Sequence, residues 1–361
     1  MMNQIITYST VLFLILGGID YLLGNKFGIG VEFEKGILAS GRLLLCMTGF
    51  LTLAPVIANI LAPIVVPLFR SIGADPSLFA GMIFANDSGG AALAMEIADS
   101  ADMGLFSGLI VGAMMGTTVM FVIPLSIANT LQEQRSEVIY GLLSGIITIP
   151  FGCIAGGFAA GFSLADIVRN TIPVIAISIF LALMLVFCRK GIVKALTMFG
   201  QGILIMSTTG LMISAIQQLS GRQIAADMAP LDEVSSIVVN ICIFLAGVFP
   251  MIAVMQKVFS RPLKLLGQRI GINEPAISGL LLCLANGIPV FSLLKDMDAK
   301  GRMVNVAFLV SASCLLGDHL AYTTQVAPQM CSAVIIGKLA GSVSALILSI
   351  AIASRLLNKH E

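Results

Sequence analysis

Asn86, Asp87 and Ser88 stand together in the stretch FANDSGG, residues 84–90, within one of the most apolar parts of the chain. An amide, a carboxylate and a hydroxyl in a row offer donors and acceptors to a small polar solute, and Gly89 and Gly90 permit a tight turn. A carboxylate near a bilayer centre costs about 2.5–3.5 kcal/mol on insertion scales, so it calls for a partner or a ligand. A structural role for Asp87, capping a second half-helix, is the competing reading. A second polar group lies in GDHLAYTT, Gly317 to Thr324. Asp318 and Tyr322 are four residues apart and share a helix face, which makes a half-site for an organic cation through charge and cation–π attraction. His319 points about 100° away from Asp318 on a helix of 3.6 residues per turn, and titrates near neutral pH, making it a candidate proton relay. The stretch LANGIP adds Asn286, and Lys338 lies in an apolar segment where it either snorkels or neutralises an aspartate.

The elements that must hold these residues are membrane helices. Of 361 residues, 58% are hydrophobic and 11% charged, with mean hydropathy +1.02. A soluble domain is about one-quarter charged. The chain is therefore an all-α polytopic membrane protein whose first partner is the lipid bilayer. Its first apolar segment lacks a basic flank and a nearby small-residue cleavage site, and is read as a retained helix rather than a signal peptide. The seven cysteines are scattered without a CxxC pair, so packing is a better account of them than metal or disulfide chemistry. No Walker, dinucleotide or HExxH motif is present, and no cofactor is expected. A net charge of +1 gives no footprint for nucleic acid.

Eleven apolar segments can be drawn, at 5–23, 37–60, 76–98, 104–129, 137–162, 167–188, 192–219, 233–257, 275–295, 302–325 and 330–355. If all eleven cross, the loop lysines and arginines divide ten against nine, which is no orientation signal. Segments 76–98 and 275–295 are each interrupted at mid-length, by NDSGG and NGIP. Each first half, ten or eleven residues, spans about 15 Å of helix, half the hydrocarbon thickness. If both are re-entrant hairpins, only Arg70, Arg169 and Arg222 remain on one side, and sixteen basic residues, among them Arg42 and Lys359, lie on the other. That division places the C-terminus in the cytoplasm and the N-terminus on the periplasmic side. About nine crossing helices and two hairpins then form an inverted repeat. Residues 1–162 make one half with hairpin 76–98, residues 163–191 a connecting helix, and residues 192–361 the other half with hairpin 275–295. Such tips meet near the midplane and commonly form a transport site. The competing reading makes Asn86 and Asn286 ordinary interhelical packing residues. The stretch FSRPLKLLGQRIG, 259–271, reads as a basic interfacial helix on anionic lipid.

FANDSGG, LANGIP and GDHLAYTTQVAP resemble the bacterial ethanolamine utilisation permease family, and the similarity runs over essentially the whole chain. The resemblance implies transport of ethanolamine across the bacterial inner membrane for catabolism, by facilitated diffusion or secondary transport. It further implies that Asp87 and Asp318 offset the ammonium charge, and that Asn286 and Ser88 read the hydroxyl. Helix-end carbonyls near Ala85 and Asn86 would also accept from the ammonium. Two alternatives stand beside it. One is a Na+- or H+-coupled secondary transporter of another small solute. The other is an intramembrane hydrolase using Ser88, His319 and either Asp318 or Asp87. A carrier of this form is expected to move one bundle bearing both tips against a scaffold, which would supply a homo-oligomer interface.

Overall fold

A computed structural model describes residues 2–357, so Lys359 of the charge tally lies outside the described residues. The chain opens with α1 (Gln4–Leu22) and α2 (Gly30–Ser71). Between them the buried carboxylate of Asp20 accepts the backbone N–H groups of Phe27, Ile29 and Gly30 at 2.8–2.9 Å, which folds the connection and starts α2. The helix therefore begins seven residues before the expected 37 and runs eleven past the expected 60. Lys35 and Arg42 are helical rather than loop residues. Charged side chains lower the local hydropathy without interrupting a helix, and Glu32 and Lys35 pair at i,i+3.

The first hairpin comprises α3 (Leu78–Ile83) and α4 (Ala91–Ile97). Phe84 and Ala85 are extended, and Gly89 adopts φ +97°. Its two ends meet: the Asp99 amide donates to Asp75 Oδ2 at 3.2 Å, and Arg70 pairs with Asp99. This segment returns to the side it entered.

Four long helices follow, α5 (Ala101–Ala128), α6 (Gln132–Ala160), α7 (Leu164–Phe187) and α8 (Arg189–Ser220). Next comes α9 (Leu231–Ile270), so the basic stretch 259–271 continues a membrane helix instead of forming a separate one. The second hairpin is α10 (Glu274–Ala285) and α11 (Ile288–Leu293). Its ends also meet, through a 2.9 Å bond from Asn273 Nδ2 to the Asp296 carbonyl. The hairpins enter from opposite ends of the bundle. Ser77, at the mouth of the first, bonds to Met103 and Ser107 at the start of α5. Gln134, one crossing later, donates to the Lys295 carbonyl beside the mouth of the second.

The expected single helix 302–325 is broken. It divides into α12 (Ala299–Ala312) and α13 (Asp318–Val326), with Cys314 at φ +55° between them. The break is held by the second hairpin: Cys314 N–H bonds the Cys283 carbonyl at 3.0 Å, and Leu316 N–H bonds that of Leu284 at 2.8 Å. The final helix is α14 (Pro328–Leu356). Among the described residues eight helices are long and apolar enough to cross a bilayer, and the interrupted α12–α13 pair stands where the sequence led to an unbroken crossing, 302–325.

The core beneath the site is packed by small residues. α6 meets α14 so closely that a Cβ on Gly152 would lie 2.7 Å from the Gly337 carbonyl. Membrane helices gain little from apolar burial against one another, and close backbone approach is a main source of their association.

Candidate functional site

Both hairpin tips and the break between α12 and α13 face one cavity of about 550 Å³. Asp87 and Ser88 come from the first tip, Asn286 from the second, and Ser313, Cys314, Asp318 and His319 from the break and the first turn of α13. Irregular backbone is tolerated at membrane depth only where protein covers it or a cavity adjoins it, and each of these segments satisfies that rule. Thr117 of α5 and the rings of Phe121, Phe249 and Phe291 complete the wall. At the mouth stand Lys35 and Arg42. Both are exposed, so the cavity opens toward the end of the bundle that carries the start of α2.

Toward the opposite end the tip is closed by aromatic rings. Phe84 packs on Phe50 at 5.1 Å, on Phe199 at 5.6 Å and on Phe79 at 6.4 Å, and Phe79 reaches Phe69 next to Arg70. Gly89 is required here twice over, by its positive φ and because a Cβ would strike the Phe50 ring.

The carboxylate of Asp87 accepts from Ser88 Oγ at 3.1 Å, and α4 carries no side-chain cap, so Asp87 is not engaged as an N-cap. Two backbone carbonyls of the tip accept bonds within the turn. Ala85 O accepts from the amides of Ser88 and Gly90, and Asn86 O from that of Ala91. The expected carbonyls near Ala85 and Asn86 thus already serve the turn, Ala85 O with two bonds and Asn86 O with one. The carboxylates of Asp87 and Asp318 are the anionic groups left on the wall.

Two expected site residues lie behind the wall. Asn86 is fully buried; its Nδ2 donates to the His319 carbonyl at 3.3 Å, tying the first tip to α13, while its Oδ1 has no partner among the described residues. Tyr322 is 2% exposed and does not line the cavity. It shares a face with Asp318 but sits about 6 Å further along the helix axis, in the core. Asn286 is on the wall, where its Oδ1 accepts from the Ile288 amide at 2.9 Å.

His319 and Ser88 do not meet. Ser88 bonds Asp87, whereas His319 Nε2 lies 3.4 Å from Thr117 Oγ1 and its Nδ1 lies 3.0 Å from Lys338 Nζ. The serine–histidine bond that a hydrolase would need is absent among the described residues. Lys338 neither snorkels nor touches an aspartate. It is 1% exposed and donates to the Ala113 carbonyl at 2.7 Å.

Sequence reasoning missed Arg42, assigned to a loop, and the three phenylalanines, which apolar patterning cannot separate from core. Thr117 carried only a weak signal, one of two adjacent hydroxyls in the otherwise apolar stretch GTTV, residues 116–119.

The family model described as "Ethanolamine utilisation protein, EutH" matches residues 2–352. A protein of Listeria monocytogenes named "Probable ethanolamine permease EutH" is 48% identical over 359 residues, covering 99% of this chain and 96% of its own. The Escherichia coli protein of the same name is 36% identical, covering 95% of this chain and 94% of its own. An uncharacterized Bacillus subtilis protein, YxeR, is 38% identical over 95% of this chain and 93% of its own. No solved structure matches the chain significantly.

Proposed function

Because this chain belongs to the EutH family of ethanolamine utilisation proteins, we propose that it carries ethanolamine, as the ammonium cation, across the bacterial inner membrane. The observation that carries this reading is the convergence of Asp87, Ser88, Asn286 and Asp318, from two oppositely entering hairpins and a broken helix, on one cavity. A primary amine is protonated at neutral pH, as lysine is with a pKa of roughly 10.4. Two carboxylates suit that charge, and the hydroxyl has Ser88 and Asn286 as partners.

Ethanolamine has four non-hydrogen atoms, roughly the volume of four waters at about 30 Å³ each, whereas the cavity holds about eighteen. The cavity is thus a vestibule with the site at its blind end. The basic end of the bundle, onto which the vestibule opens, is assigned to the cytoplasm by the charge distribution. The C-terminus is then cytoplasmic and the N-terminus periplasmic, and this conformation is the inward-facing one. The phenylalanines around Phe84 close the outward path, and alternating access moves the tip-bearing bundle against the surrounding helices. A potential of 100 mV contributes about 2.3 kcal/mol per inward charge, enough for roughly fifty-fold accumulation without a coupled ion.

The test is uptake of labelled ethanolamine into proteoliposomes, with an imposed potential and with or without Na+ and H+ gradients. Uptake that follows the potential alone supports a uniporter. Strict dependence on one ion gradient replaces it with a coupled carrier, and no uptake under any condition removes ethanolamine as cargo.

A further inference from the structure

Lys338 is a buried charge directly behind the proposed site that the site itself leaves unused. It follows Gly337, whose contact with Gly152 lets α14 approach the core closely enough to place the lysine behind the cavity wall. Its Nζ bonds the Ala113 carbonyl at 2.7 Å and lies 3.0 Å from His319 Nδ1. α5 widens there: the Thr117 amide bonds the carbonyls of Gly112 and Met114 rather than that of Ala113, which accepts from Lys338. His319 in turn stands 3.4 Å from Thr117, and both of those residues line the cavity that holds Asp87 and Asp318. An ammonium is thereby fixed one side chain behind two carboxylates.

We propose that Lys338 is the resident cation of this site and the residue that limits the cargo to one positive charge. An uncompensated charge at a buried wall is costly, and charges separated by packed protein attract more strongly than the same charges in bulk water. Asp87 and Asp318 contribute two negative charges. An ammonium has only donors, so with Lys338 charged the His319 Nδ1 beside it accepts and the imidazole is neutral. Lys35 and Arg42 stand exposed at the mouth, where water and salt screen them. Lys338, bonded to neither carboxylate but held one side chain behind the wall that carries both, offsets one of them. One negative charge remains for the cargo. A monoammonium completes the balance, whereas a diammonium of similar size leaves a buried positive charge unpaired. The inference rests on the ammonium cargo proposed above and adds the charge count.

The test compares ethanolamine with 1,3-diaminopropane as ligands of the purified full-length protein, by direct binding and by competition against labelled ethanolamine in proteoliposomes. In the wild type the diamine should bind at least about ten-fold more weakly than ethanolamine, the lower end expected for one charge-assisted contact. Lys338→Gln should raise the diamine at least about ten-fold relative to ethanolamine, and Lys338→Arg should leave the wild-type ratio in place. A folded Lys338→Gln protein with an unchanged ratio overturns the proposal, as does a wild type that takes both amines equally. If Lys338→Gln does not fold, Asp87→Asn and the double variant Asp87→Asn/Lys338→Gln decide. Ethanolamine binding lost in the single and regained in the double supports the charge count, and a double no better than the single overturns it. Wild-type protein that binds neither amine sinks the proposed cargo and this inference together. Ethanolamine binding with no charge preference sinks the inference alone.

Discussion

The side-chain amide of Asn86 donates to the main-chain carbonyl of His319 at 3.3 Å, joining two residues 233 positions apart. Through this bond the tip of the first hairpin holds the first turn of α13, so Asp87 and Asp318 are placed by a common strut. Asn86 thereby acts on the site without facing the cavity.

Asn86→Asp keeps the side-chain size but turns the donor into an acceptor aimed at a carbonyl. It should destabilise the protein by about 1–3 kcal/mol, the cost of a buried polar group left unpaired. Thermal unfolding in detergent should show a lowered midpoint, with ethanolamine uptake reduced in parallel. A variant as stable and active as wild type would dissolve the strut.

Asp87→Asn preserves shape and removes the charge opposed to an ammonium. Apparent affinity for ethanolamine should fall roughly 10–150-fold, the equivalent of about 1.5–3 kcal/mol. Ser88→Ala should cost less, about 0.5–1.5 kcal/mol for a neutral bond. Uptake kinetics measured at a pH low enough to suppress diffusion of the free amine separate the two. Wild-type kinetics in a properly inserted Asp87→Asn protein would remove the carboxylate from the site.

Gly89→Ala places a methyl group against the Phe50 ring at a backbone conformation with φ +97°. An L-residue pays about 1–2 kcal/mol for a left-handed conformation before any clash is counted. Overpacking of a filled site adds a further 1–3 kcal/mol, roughly. The expected result is poor yield of folded protein and loss of uptake, whereas Gly161→Ala, with open space around it, should suffer the conformational term alone. Equal behaviour of the two variants would show that the Phe50 contact is unimportant.

Single cysteines at Ser100 and Asp298, in a background lacking the seven native thiols, report the topology. A membrane-impermeant maleimide should label position 100 from the periplasm and position 298 from the cytoplasm only. Labelling of both from one side would contradict hairpins that enter from opposite ends.

Much of this was legible in the residues themselves. Composition demands a membrane protein, because bilayer-length apolar runs cannot all be buried in a core of this size. The apolar halves flanking NDSGG and NGIP, none longer than eleven residues, are too short to cross, and the charge division agrees with their turning back. The contacts of Asp75 with Asp99 and of Asn273 with Asp296 are the structural expression of that argument.

What the sequence could not decide is which polar residues face the same space. Hydropathy averages over a helix turn, so it carried 302–325 through as one helix. The break at Cys314 exists only because carbonyls of α10 receive its amides, a bond between segments thirty residues apart. Periodicity put Asp318 and Tyr322 on one face, yet depth along the axis sends one to the cavity and the other to the core. Lys338 could be read as snorkelling or pairing with an aspartate. Its partners are a histidine and a carbonyl, and that carbonyl lies where α5 departs from regular α-helical bonding. Residue type and spacing determine what a segment can do alone, whereas hydrogen bonds between distant segments determine where its polar groups point.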